Sequence, residues 1–159
     1  MRRGLVGSIA IAGALALVVP GSALARAGDR TLTQTYPVAT ALCARARSGV
    51  LPARLGPERT QVLAACDTLE NAFGPLVSAV DSAEAAYLTT VANQRSLVAT
   101  ACTRPVADAA ACRAARATRT STDATALATR ATAVAQFRTS VEANRNTFWT
   151  TIQTLRASA

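Results

Sequence analysis

The sequence predicts an all-α fold: a long antiparallel helical hairpin, coiled-coil-like, with a short third helix packed on its base and two disulfides. Three observations carry that prediction. Apolar residues recur at steps of three and four along two long segments, the period of helices that pair side by side. Ala, the best helix former, dominates, while no segment alternates apolar and polar residues and no Asn-Gly or Asp-Gly dipeptide marks a hairpin turn. Four cysteines, at positions 43, 66, 102 and 112, form an even set suited to two bridges.

The first 27 residues read as a secretory signal peptide rather than as part of the fold. Arg2 and Arg3 precede an apolar run from Gly4 to Val19, Pro20 and Gly21 follow, and Ala23-Leu24-Ala25 and Ala25-Arg26-Ala27 both fit small-residue cleavage sites. The rival is an uncleaved membrane anchor, but the run is shorter than the ~20 residues a spanning helix needs. Residues 28–159 then form a single domain.

The elements follow in order. The first helix opens at Pro37, which suits the first helical position, and stops before Gly49; residues 31 to 36 are expected to add a turn. Arg45 and Arg47 lie at its C-terminal end, where the helix dipole is negative. "GVLPARLG" connects it to a second helix, which starts at Pro57-Glu58 and runs to about Cys102. Gly74-Pro75 interrupts that run, and an interior proline costs about 3 kcal/mol; a kink is expected rather than a reversal. The third helix starts between Pro105 and Asp108 and reaches about Leu155, with the Ser/Thr-rich stretch 118–125 as its weakest part.

Register ties the two long helices together. Facing residues of an antiparallel pair have a constant sum of residue numbers, and Cys102 with Cys112 sets that sum at 214. The same sum brings Val80 to Val134, Val77 to Phe137, Phe73 to Val141, Cys66 to Phe148, Val62 to Ile152, Tyr87 to Leu127 and Glu84 to Arg130, and leaves Glu70 within one residue of Arg145. The matches continue across Gly74-Pro75, which is why a kinked helix is expected there. Pairing Cys43 with Cys66 brings Tyr36 to Phe73, so the expected bridges are Cys43–Cys66 and Cys102–Cys112. The first helix covers only the lower half of the hairpin. Above Tyr87 the seam thins to Val91, Gln94, Val98 and Ala101 facing Asp123, Thr120, Arg116 and Arg113, and the second bridge clamps the end where apolar burial has run out.

Composition narrows the chemistry. The chain has no His and no Lys, so Ser–His, Cys–His and Ser–Lys nucleophile pairs are excluded. A metal site is not expected, because the cysteines are 23, 36 and 10 residues apart and no Cys-x-x-Cys occurs; no cofactor is expected either. Asp67, Glu70, Asp81 and Glu84 are the only grouped carboxylates, and they read as a charged flank answering arginines across the hairpin.

All 17 basic residues are arginine against nine acids, for a net charge of +8. An Arg-rich, Ala-rich composition also follows from GC-rich codons, but the charge attracts anionic partners whatever its origin. Arg95, Arg104, Arg113, Arg116 and Arg119 gather at the hairpin tip with Asp108 as the single acid between them. Arginine suits two-point capture of phosphate and carboxylate groups. The expected function is therefore that of an exported, non-enzymatic binding or spacer protein, extracytoplasmic in location. Its tip would dock on anionic lipid, a wall polymer or an acidic protein. Nucleic acid is disfavoured, because no aromatic residue lies among these arginines to stack on bases. The uncovered half of the hairpin also offers a surface to a second copy, as in a four-helix bundle. The alternatives are a passive structural component and a carboxylate-based hydrolase.

Overall fold

The computed structural model describes residues 30–103 and 108–158; the expected signal peptide, residues 1–27, and Arg104 lie outside them. A single turn of helix, α1 (Leu32–Thr35), precedes α2 (Pro37–Arg47). Thr31 and Gln34 close a capping box over α1 that satisfies two otherwise orphaned backbone donors. Pro37 opens α2 as expected, and α2 ends on Gly49, whose φ of +80° only glycine adopts without strain. There the Val50 N–H donates to Arg45 O at 2.9 Å and the Gly49 N–H to Ala46 O at 3.2 Å, the paired closure of a helix C-terminus. The connector contains a 3-10 turn, Ala53–Leu55, that sinks Leu55 completely into the core.

The long elements are α3 (Arg59–Cys102, 44 residues) and α4 (Ala109–Ser158, 50 residues). Helix α3 continues through Pro75 without a break. Gly74, Pro75 and Asn71, whose carbonyl loses its partner to the missing proline N–H, are all exposed, so water can serve that carbonyl. The Ser/Thr-rich stretch 118–125 does not interrupt α4 either. Its threonines donate to carbonyls four residues back, as Thr120 does to Arg116 and Thr125 to Ser121, and so stay within the helical ladder. Asp108 caps α4 by accepting from the Ala110 N–H at 2.7 Å.

Both bridges join the expected pairs, with Cα–Cα distances of 5.7 Å for Cys43–Cys66 and 4.9 Å for Cys102–Cys112. The register of 214 holds along the hairpin: Glu84 pairs with Arg130. Tyr36 stacks edge-on against Phe73 at 5.8 Å, and its hydroxyl donates to Val141 O at 3.2 Å, which ties the N-terminal elements to both long helices.

Three expectations fail in detail. Toward the tip the seam of α4 is taken by Ala115, Arg119 and Asp123, whereas Thr120, Arg116 and Arg113, expected there, are exposed. Glu70 does not meet Arg145. Arg47, at the end of α2, takes Glu70 with two parallel bonds of 2.8 Å and also reaches Asp67 at 3.3 Å, because the α2 C-terminus brings a guanidinium closer than α4 does. Tyr87 does not cover Leu127. The inward positions of α4 follow the 3.6-residue turn of a straight helix more closely than a strict heptad, so Ala126 and Arg130 take the seam and Leu127 turns outward, 48% exposed. The guanidinium of Arg130 lies over the Tyr87 ring instead, at 5.5 Å.

The core occupies one end of the molecule. Tyr36, Ala39, Leu42, Cys43, Ala46 and Leu55 pack against Val62, Cys66, Leu69, Phe73, Phe148 and Ile152. Along the described residues of α3 beyond Val80, and of α4 before Phe148, no residue is fully buried. The molecule is thus a three-helix base continued by a two-helix arm.

Candidate functional site

The arm carries the arginines singled out from the sequence, and the structure sorts them. Arg95 on α3 and Arg113 and Arg116 on α4 are exposed, with no carboxylate among the described residues within ion-pair distance. Arg119 differs. It is drawn toward the seam, where its Nε donates to Asp123 Oδ2 one turn along the helix at 3.2 Å. The one acid at the tip, Asp108, is engaged as the cap of α4. The exposed part of the cluster is therefore Arg95, Arg113 and Arg116.

These three share a face. At 3.6 residues per turn and the register of 214, each lies to the same side of the seam. Val98, Arg116, Arg119, Thr120 and Asp123 line a shallow open hollow of about 610 Å³ there. The two guanidinium groups at its edge are donors of the kind that suit an oxyanion, whereas the Thr120 hydroxyl is already given to Arg116 O and Asp123 adds a carboxylate to the lining. Arg119 is held in place by Asp123, while Arg116 remains free to adjust.

Among the described residues, the opposite face of the hairpin has no ionisable side chain along its length. On α4 it presents Thr118, Thr125, Thr129, Thr132, Gln136 and Thr147, all exposed. At the base it forms a groove of about 270 Å³ between Ala64, Thr68, Ala72, Asn144, Thr147 and Thr151. Charge is confined to the other side, which at the base is covered by α1 and α2. The sequence already contains this division, because the arginines of α4 and most of its threonines, Thr120 apart, fall on separate helical faces.

The grouped carboxylates are all engaged. Asp67 and Glu70 bind Arg47, Asp81 faces Arg30 at 3.7 Å, and Glu84 binds Arg130. Arg30, which also lies over the Phe137 ring at 5.6 Å, was not anticipated from the sequence. It stands before any periodic segment, where register carries no information. No cluster of metal-ligating side chains occurs among the described residues. No described helix is long and apolar enough to cross a membrane.

Fold and surface together define a disulfide-clamped antiparallel helical hairpin with a three-helix base, an arm of two helices and one basic face. No protein-family model, curated protein or solved structure matches the chain.

Proposed function

We propose that this is an exported, non-enzymatic binding or spacer protein of the cell envelope or extracellular space, which docks through the arginine-rich end of its arm onto an anionic partner. The observation that carries the reading is the set Arg95, Arg113 and Arg116: exposed, on one face, and without a carboxylate among the described residues in ion-pair range, while Arg119 and Arg130 in the same arm are paired. Export is supported by the leader-like first 27 residues and by two bridges that use every cysteine. A non-enzymatic role is favoured because each grouped carboxylate already faces an arginine.

The test is capture from an envelope fraction. The wild-type protein should retain an anionic component that is released as salt rises, since exposed charges are screened over about 10 Å at 0.1 M salt. The variant Arg95→Gln/Arg113→Gln/Arg116→Gln should lose it while keeping its helical content. Equal retention by both proteins removes the arm from the function.

A second reading rests on the uncharged face. Two hairpins stacked through it would form a four-helix bundle with the exposed arginines Arg95, Arg113 and Arg116 outside. Sedimentation equilibrium distinguishes a monomer from that dimer.

A further inference from the structure

We propose that the partner of the basic arm is the surface of an anionic lipid bilayer, and that Leu88 and Leu127 are its insertion points. The proposal rests on the docking reading above and names what is docked on. Leu88 on α3 is 57% exposed and Leu127 on α4 is 48% exposed. Their numbers sum to 215, one away from the register fixed by Cys102–Cys112 and Glu84–Arg130, so they stand beside each other across the hairpin. Both lie on the face that carries Arg95, Arg113 and Arg116. Arg95 is two turns beyond Leu88 on the same flank of α3, and Arg116 is three turns before Leu127 on the same side of α4.

Two exposed leucines at one level of the hairpin, with unpaired arginines on the same face toward the tip, make the arrangement of an interfacial protein surface. The apolar side chains enter the acyl boundary while the guanidinium groups reach phosphates in the head-group layer. A soluble polyanion would use the arginines alone and leave the leucines wet. Along the arm, the carboxylates nearest this face are each opposed by an arginine, Glu84 by Arg130 and Asp123 by Arg119, and Asp81 at its root faces Arg30; the exposed Glu142 lies farther along, at the base. The hollow between Val98, Arg116, Arg119, Thr120 and Asp123 opens on the same face. The third strongly exposed leucine of the arm, Leu97 at 57%, falls on the uncharged face and serves as an internal control.

The experiment uses vesicles of phosphatidylcholine with and without phosphatidylglycerol and the protein with its bridges oxidised, all variants in one background. Leu88→Ala/Leu127→Ala should weaken binding to the anionic vesicles about tenfold per leucine, since each removes apolar area that the membrane would bury. Leu97→Ala should leave binding unchanged. A position-resolved readout accompanies it: Leu88→Trp should be quenched by lipids brominated on the acyl chain, whereas Leu97→Trp should add nothing to the signal of Trp149. Wild-type affinity in the double leucine variant, with binding still lost in the arginine variant, overturns membrane insertion and leaves docking on a soluble polyanion standing. Equal quenching at 88 and 97 overturns the assignment of faces. Loss of vesicle binding in none of the variants overturns both the insertion and the docking reading.

Discussion

Single residues decide how much of the charge is available to a partner. Arg119 and Arg116 differ by less than one turn, yet one is tied to Asp123 and the other is free, because only positions 119 and 123 fall toward the seam together. The same logic makes Arg47 a brace: its fork holds Glu70 and Asp67 across the α2–α3 junction, and those carboxylates in turn hold the guanidinium further above its usual basicity. Tyr36 gives a pH-dependent consequence. Burial pushes its hydroxyl above the ordinary value of 10.0, with Asn144 and Arg145 pulling partly the other way. The folded state thus holds the proton more tightly than the unfolded chain does. Stability from this group is complete below pH 10 and is lost as pH rises through the folded value. Denaturant midpoints should fall above pH 10 in the wild type and fall less steeply in Tyr36→Phe. That variant should cost about 0.5–1.5 kcal/mol at neutral pH through the lost bond to Val141 O. An identical alkaline slope in both proteins would assign the effect elsewhere.

At the scale of elements, base and arm are held by different forces. The base has a packed apolar core and its own bridge, whereas the arm has a half-buried seam of Val91, Gln94, Val98 and Ala101 against Ala115, Arg119, Asp123 and Ala126. A bridge closing a loop as short as that between Cys102 and Cys112 contributes about 2–3 kcal/mol. Replacing both cysteines by serine should therefore speed amide exchange in the arm and leave α2 and the adjoining halves of α3 and α4 protected. Uniform loosening along the molecule would contradict the division. Much of this was legible in the sequence. Steps of three and four located α3 and α4, and one cystine sum set their register and with it the Glu84–Arg130 pair. What the sequence did not show falls into two kinds. Leu55 and Arg30 lie in or beside irregular segments, where no period says which way a side chain points. Leu127 was misplaced because a heptad and a straight helix drift apart over several turns, and small residues in the seam impose no knobs to keep the heptad in step.

For the whole molecule, the long axis is the property on which every functional statement depends. Packed as a globule, residues 28–159 would have a radius of gyration of about 14 Å. Helix α4 alone, with 50 residues, extends to about 75 Å at 1.5 Å per residue, and a rod of that length has a radius near 20–22 Å. Small-angle scattering from residues 28–159 should give the larger value, with a forward intensity that reports one chain or two. Stacking through the uncharged face would double the mass with little change in radius, because the second hairpin lies alongside the first. A radius near 14 Å would mean that α3 reverses at Gly74-Pro75. The arm would then fold onto the base, and Leu88, Leu127 and the three free arginines would lose their common face. Proline tolerance at position 75 opposes that outcome physically. Asn71 is exposed, so water can reach its unpartnered carbonyl and the helix gains little by breaking there, and the seam continues on both sides from Phe73 to Val80.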